Sequence, residues 1–291
     1  MERNRLLGSL LREEGAVAWG VSDALPVEES DWEIFQHWLS CGYHAGMDYM
    51  ERYQEIRRDP RLLLEGARSV ISMAFNYRQA NPYKGVPTYA LGQDYHKVLR
   101  RRLKRVVGGM KSEFGGEWRI CIDSAPILER YWAVKCGVGT RSPVHGNVVV
   151  PGVGSMVFLA ELVTTLQLPS FNENFTDYHS SDISLSIPAK VCPGNALLPG
   201  GMVDSRFCIN YLAIEHQGEL SEEQHRIIGD SRFGCDLCQR VCRENQGEPL
   251  ALLPEFLPLA GLEEFLEGKD EVFDLSRSPL KRAVKNKSVK H

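Results

Sequence analysis

The chain has 291 residues, enough for one large domain or two ordinary ones, with 43% hydrophobic residues, 25% charged residues and 15 prolines. That composition excludes intrinsic disorder, collagen-like repeats and low-complexity sequence. A formal net charge of -4 supplies no global basic field to recruit nucleic acid.

The N-terminal text MERNRLLGSLLREEG interrupts its leucines with charges. Leu6, Leu7, Leu10 and Leu11 therefore form one face of an amphipathic helix rather than the apolar core of a signal peptide. AVAWGVSDA (16–24) follows as a buried strand, a second helix is predicted around Ile34, Phe35, Trp38 and Leu39, and ARSVISMAFNY (67–77) reads as an apolar strand. From Asp94 to Val107, Val98, Leu99, Leu103, Val106 and Val107 recur at helical spacing while Arg100, Arg101, Lys104 and Arg105 fill the other face. WRICI (118–122) is a third strand that ends at Asp123, before a helix predicted over Pro126–Lys135 with Gly137 past its end. NVVV (147–150) and MVFLAELVTTLQL (156–168) complete an alternation typical of a layered α/β domain. Trp32, Trp38, Trp118 and Trp132 lie on apolar-periodic segments and are expected in the core.

Composition shifts near residue 169. Residues 169–250 are polar, turn-rich and cysteine-rich, with short helices expected over Asp204–Glu215 and Ser221–Ile228, as suits a small cofactor-bound module. The predicted division is 1–168, 169–250 and a C-terminal extension at 251–291. After Asp274 no acidic residue occurs, and Arg277, Lys281, Arg282, Lys285, Lys287 and Lys290 make a basic tail. No run of about 18 apolar residues is present, which excludes a conventional transmembrane helix. The expected location is cytoplasmic, where thiols persist and a cysteine cluster binds metal more often than it forms disulfides.

Eight cysteines are unevenly placed: Cys41, Cys121 and Cys136 are scattered, whereas Cys192, Cys208, Cys235, Cys238 and Cys242 crowd one segment. GCDLCQRVC (234–242), preceded by Cys208 and by a Cys192 directly followed by proline, suits thiolates held on tight turns around an iron–sulfur cluster. Four thiolates also suit tetrahedral zinc, and reduced, unliganded thiols are a third reading. Asp123, where a strand gives way to a helix, stands at a common position for chemistry in α/β folds; the plain alternative is an exposed helix-capping aspartate.

The text GYHAGMDYM, RRDPRLLLEGARSVISMAFNY, ALGQDYHKVLRRRL, DSAPILER, GSMVFLAELVT, CPGNAL, FCINYLAIEH and IGDSRFGCDLCQRVC, in that order from about residue 42 to 245, resembles the epoxyqueuosine reductase family. Members of that family use cobalamin and iron–sulfur clusters in the last step of queuosine synthesis in tRNA anticodons. The resemblance implies an α/β cobalamin-binding domain of nitroreductase-like topology followed by a ferredoxin-like domain that feeds it electrons. It further implies Asp123 as proton donor, with Arg57, Asp94, Tyr95, His96, Val148 and Leu159 at or near the corrin. Asp94-Tyr95-His96 is not the D-x-H-x-x-G cobalamin signature, because Leu99 stands where glycine is needed. Any cobalamin here therefore lacks the histidine axial ligand that signature supplies.

The chain departs from the family pattern in three places. Asp182, Leu185 and Pro188 occupy the first three positions of the family's C-x-x-C-x-x-C-x-x-x-C-P run. Cys192, Cys208, Cys235 and Cys238 match the complete ligand set of the other cluster, and Cys242 is left over from the depleted one. One 4Fe-4S cluster is therefore expected instead of two. GVGTRSPVHGN (137–147) stands where the family has a glycine-rich turn containing an aromatic residue and a lysine. Many members continue into a helical-repeat domain that helps hold tRNA, whereas this chain ends in the basic tail.

These readings predict an epoxyqueuosine-reductase-like oxidoreductase with tRNA as substrate, an external electron donor, no membrane association and a monomeric state. The rivals are a paralogue reduced to corrinoid binding or electron transfer, and a cobalamin-dependent reductase of a small molecule. A broad positive groove favours tRNA, and a closed apolar pocket favours the small substrate. The basic face from Lys97 to Arg105 adds weak support for RNA, its ordinary explanation being a solvated helix surface.

Overall fold

The computed structural model describes residues 2–172, 188–231, 233–247, 253–269 and 273–286. Helix α1 (Glu2–Glu13) leads to β1 (Ala18–Asp23), α2 (Glu29–Ser40), the short α3 (Gln54–Arg58), β2 (Ser69–Asn76) and the long α4 (Tyr95–Phe114). Next come β3 (Trp118–Cys121), α5 (Glu129–Lys135), a small hairpin of β4 (Thr140–Arg141) and β5 (Val148–Val149), then β6 (Val157–Thr164) and β7 (Phe171–Asn172). Five of these strands form one sheet in the order β3-β6-β2-β1-β7, and every pairing in it is antiparallel.

Strand β2 is the centre of this sheet, and its eight residues are all buried. Successive side chains of a strand point to opposite faces. Ile71, Met73 and Phe75 accordingly pack with α1 and α4, through Leu7, Leu11, Leu99 and Leu103. Val70 and Ala74 pack on the other side with Trp132 and Ala133 of α5 and with Val148. Burial on both faces explains why the segment reads as a continuous apolar run instead of an alternating one. Helix α4 runs seven residues past the expected Val107, carrying Gly108 and Gly109 within it. At Gly109 a Cβ would come within 2.8 Å of the Leu10 side chain, so the glycine lets α1 lie close.

From residue 188 the elements are short. They comprise α6 (Pro188–Val191), the hairpin of β8 (Leu197–Leu198) and β9 (Met202–Val203), α7 (Glu222–Ile228) and α8 (Leu237–Arg240). A capping box between Ser221 and Gln224 starts α7. The helix expected over Asp204–Glu215 is instead a 3-10 turn at Ser205–Phe207 and a π-turn at Tyr211–Glu215. Cys208 sits between them with extended backbone (φ -80°, ψ 124°), which interrupts a single helix.

The chain then returns to the first domain. Phe256 enters the main core edge-on to Phe158, and Leu262 of α9 (Leu262–Leu266) and Leu280 of α10 (Leu280–Lys285) pack with Val86, Ala90 and Leu91. The Arg277 and Ser276 carbonyls accept hydrogen bonds from the Asp94 N–H (2.7 Å) and Lys97 Nζ (2.8 Å), and Asn286 Nδ2 donates to the Leu212 and Ala213 carbonyls. The tail is thus docked as far as Asn286, while Lys287 and Lys290 lie outside the described residues. Three of the four arginines of α4 are engaged internally: Arg101 and Arg102 bond to Glu255, and Arg102 and Arg105 to Glu14. Trp32 and Trp132 are buried as expected, but Trp38 and Trp118 are only half-buried. Among the described residues no helix is long and apolar enough to cross a membrane.

Candidate active site

A cleft of about 1790 Å³ is lined by α2, the loop before α3, the start of α4, the turn after β3, the cysteine-rich segment and α10. The apolar face of α2, with Ile34, Phe35 and Trp38, forms part of its wall instead of entering a core. Trp38 is held there by its indole N–H, which donates to the Val203 carbonyl at 2.8 Å.

Asp94 caps α4, accepting the His96 backbone N–H at 3.0 Å, and this places the His96 ring over the cleft. His96 Nδ1 lies 2.8 Å from Asp94 Oδ1, and its Nε2 lies 2.8 Å from Asp123 Oδ2. Tyr95 stacks between the His96 ring (centroids 4.0 Å apart) and Phe158 (4.2 Å). Burial opposes charge on the imidazole, but the hydrogen bonds to the two carboxylates prevail and lift its pKa to about 9.

Asp123 has a left-handed backbone (φ 51°), a strained conformation for a non-glycine residue. Its N–H donates to Glu129 Oε1 at 2.5 Å, a bond that fixes the turn from α5. The capping alternative fails: α5 begins at Glu129, its N-cap is Leu128, and Asp123 is directed to His96 and to Arg282 Nη1 at 3.8 Å. A proton donor is best served by a raised pKa. Burial does push in that direction, but the His96 imidazolium and then Arg282 outweigh it and hold the carboxyl below its usual range. The group with the raised pKa is the neighbouring Glu129, pushed up to about 7 by burial and by the charge of Asp123. Behind it, Glu161 of β6 is fully buried against Ser72 Oγ (3.0 Å) and held well above the usual carboxylate range.

Arg57 lines the same cleft, buried, with Nη2 donating to the Tyr49 carbonyl at 3.1 Å and Nε without a partner among the described residues. Val148 and Leu159 do not reach the large cleft. They line a separate cavity of about 80 Å³, whose wall includes Arg130, Asn147 and Gln239 from the main one.

All eight cysteines are free thiols. Cys208, Cys235 and Cys238 line the cleft; Cys192 does not, but it is an electrostatic neighbour of all three. Burial and then the adjoining thiols push the Cys238 pKa up, as thiols gathered at one place must do. Backbone N–H groups point at the sulfurs: Ala196 at Cys192 Sγ (3.3 Å) and Leu237 at Cys235 Sγ (3.5 Å). Such donors stabilise thiolates, so the set fits a cluster ligated by four sulfurs. No three Cys, His, Asp or Glu side chains among the described residues are gathered around a single metal-ion position. Cys242 is buried and its Sγ donates to the Cys238 carbonyl at 3.3 Å. Asp182 and Leu185, two of the departures from the family run, lie outside the described residues.

Sequence reasoning missed Glu129, Arg130, Arg141, His145 and Arg282 as cleft residues. Glu129 and Arg130 end DSAPILER, one of the matching segments, which was the available signal. Arg141 and His145 lie in the segment that departs from the family.

A sheet domain sharing one cleft with a four-thiol module, an imidazole and a carboxylate fits an iron–sulfur oxidoreductase. Residues 57–124 match the family model "Epoxyqueuosine reductase QueG, DUF1730", and residues 189–245 match that of the "4Fe-4S double cluster binding domain". The epoxyqueuosine reductase of Cyclobacterium marinum is 36% identical over 275 residues, 90% of this chain and 87% of that one. That of Cellulophaga algicola is 35% identical over 280 residues, 92% and 90% of the two chains. A crystal structure of epoxyqueuosine reductase with an epoxyqueuosine-modified tRNA-Tyr stem loop matches with a TM-score of 0.75 and 26% identity, covering 89% of this chain and 69% of that one. The chain belongs to the epoxyqueuosine reductase family. Its cysteine-rich segment is a 4Fe-4S binding module, which decides against the zinc reading, and the module match starts one residue after Pro188.

Proposed function

We propose that this protein reduces the epoxide of epoxyqueuosine in tRNA to the alkene of queuosine, with cobalamin and one 4Fe-4S cluster. The observation that carries this reading is the meeting of Asp123 and His96 with Cys208, Cys235 and Cys238 around one cleft. Residues 1–168 would hold the corrin, 169–250 the cluster, and 251–291 the rim. Arg57, Asp94, Tyr95 and His96 are the proposed corrin contacts, with Val148 and Leu159 behind them. Cys192, Cys208, Cys235 and Cys238 ligate the cluster.

Removing the epoxide oxygen as water consumes two electrons and two protons. Cobalamin, when bound, supplies a strongly reducing metal centre for that cleavage. The cleft exceeds the roughly 300–1,000 Å³ of ordinary small-molecule sites, and the partnerless Arg57 Nε on its wall is a donor for a polar ligand, so the residues present fit a macrocycle. Asp123 passes a proton to the departing oxygen. His96, protonated at neutral pH with a pKa of about 9, stands 2.8 Å behind it as the reserve from which Asp123 is recharged. Substrate that displaces Arg282 removes a positive charge and raises the affinity of Asp123 for that proton.

The mouth of the cleft favours tRNA over a small substrate. Lys281, Arg282 and Lys285 of α10 line it, where phosphates can be neutralised. The test is anaerobic reconstitution with iron and cobalamin, chemical reduction, and incubation with an epoxyqueuosine stem loop. The product should weigh one oxygen atom less, and the protein should hold about four irons. Failure to bind any corrinoid overturns this function.

A further inference from the structure

The cleft contains a second group of side chains that the proposed chemistry does not use. Arg130 of α5, Arg141 of β4 and His145 of the β4–β5 turn all line it. Burial and then the charge of Arg141 disfavour the charge of Arg130, and Arg130 in turn pulls the His145 pKa down, after burial, to about 4. His145 is 2% exposed and neutral; its Nδ1 accepts the Asn147 N–H at 3.2 Å, which makes Nε2 the N–H donor. Among the described residues that Nε2 has no partner, and neither does the buried Nε of Arg141. Neither arginine makes an ion pair among the described residues. The groups that favour their charge are Asp31 for Arg141, and Glu129 with the sulfurs of Cys208 and Cys238 for Arg130.

The turn that carries His145 is built to hold its position. Ser142 N–H donates to the Asn147 carbonyl (2.9 Å), and Gly146 N–H to the Ser142 carbonyl (3.1 Å). A Cβ at Gly146 would lie 2.1 Å from the Gly201 carbonyl oxygen and 3.6 Å from Arg130 Nη1, so the turn packs tightly beside the guanidinium. The His145 Nε2 donor and the Arg141 Nε are buried without an acceptor among the described residues, which is costly, and the Arg130 guanidinium lies beside the same turn. A multivalent oxyanion answers both donors and is drawn by both positive charges.

We infer that Arg130, Arg141 and His145 form a subsite for a phosphate group brought in by a ligand of the cleft. The phosphate has two possible carriers, the nucleotide tail of cobalamin and the backbone of the RNA, and only this choice of carrier rests on the proposed function. The first probe is therefore inorganic pyrophosphate, which needs neither. It should raise the melting temperature of the purified protein in a concentration-dependent way. The rise should vanish in Arg141→Gln and in His145→Gln, and persist in part in Arg141→Lys.

Equilibrium titrations then identify the carrier. A roughly tenfold loss of cobalamin affinity in Arg141→Gln, with affinity for the tail-less cobinamide unchanged, assigns the phosphate to the cofactor. A similar loss for an anticodon stem loop, with the salt dependence shallower by about one contact, assigns it to RNA. The inference is overturned if pyrophosphate does not stabilise the wild-type protein, or stabilises the two Gln variants equally. Loss of corrinoid and RNA binding with the pyrophosphate effect intact would instead remove the proposed function and leave the subsite standing.

Discussion

His96 Nε2 lies 2.8 Å from Asp123 Oδ2, and the other nitrogen of the same ring is anchored to Asp94. The ring therefore transmits the cap of α4 to the acid of the β3–α5 turn. An imidazolium clamped between two carboxylates stays charged, and the carboxylate beside it stays ionised until something intervenes.

Replacing Asp123 with Asn keeps the shape of that contact and removes the transferable proton. We expect the single-turnover rate on a modified stem loop to fall at least a hundredfold while corrinoid binding stays within a few-fold. Wild-type rates in this variant would exclude Asp123 as the donor.

The His96 clamp makes stability depend on pH with a definite sign. Its folded pKa of about 9 lies above the ordinary 6.5, so its contribution is complete below pH 6.5 and is lost as pH rises through 9. Asp94 and Asp123 are shifted down, so theirs is present above 3.8 and is lost as pH falls through their depressed folded values. Urea melts between pH 6 and 10 should show the alkaline decline in the wild type and its absence in His96→Asn.

Glu129 holds Asp123 in its left-handed turn through one backbone hydrogen bond. Glu129→Gln retains an acceptor oxygen and should keep turnover within a few-fold. Glu129→Ala removes it and should cost tenfold or more. Equal losses in the two variants would show that charge, and not positioning, is what Glu129 contributes.

Cysteine substitutions separate ligand from bystander. Cys235→Ala should strip most of the iron from the purified protein. Cys242→Ala should leave about four irons per chain and cost roughly 1 kcal/mol of stability, because its thiol is buried and bonded to the Cys238 carbonyl. Iron analysis decides, and a count near eight in the wild type would refute the single cluster.

Arg102 joins Glu14 of the α1 end to Glu255 of the returning chain, and all three side chains are largely buried. Arg102→Ala should lower unfolding free energy by about 3 kcal/mol. The salt dependence of stem-loop binding should not change, since this side chain faces inward partners.

Much of the core was legible because burial writes itself into local periodicity. The alternating contacts of Ile71, Met73 and Phe75 against Val70 and Ala74, and the helical spacing from Val98 to Val106, are both visible without knowing a partner. Strand order and direction were not, since pairings such as Ser69 with Thr164 join residues far apart in the chain. In the site, Asp94, His96 and Asp123 were reached through matching segments. Arg282 was missed because a cation in a basic tail looks like solvated charge until α10 docks through Leu280 and Ala283. Val148 and Leu159 share segments with cleft residues but line the adjoining small cavity, a distinction that linear text does not carry.

The segment from residue 273 to 286 is bonded at one end to the start of α4 and at the other to the π-turn that follows Cys208. Cys208, Cys235 and Cys238 line the same cleft as His96, so a cluster held by them and the imidazole that backs the proton donor must keep a fixed spacing. The docked tail ties the two walls together, and loosening it would slow turnover without altering any residue on either wall.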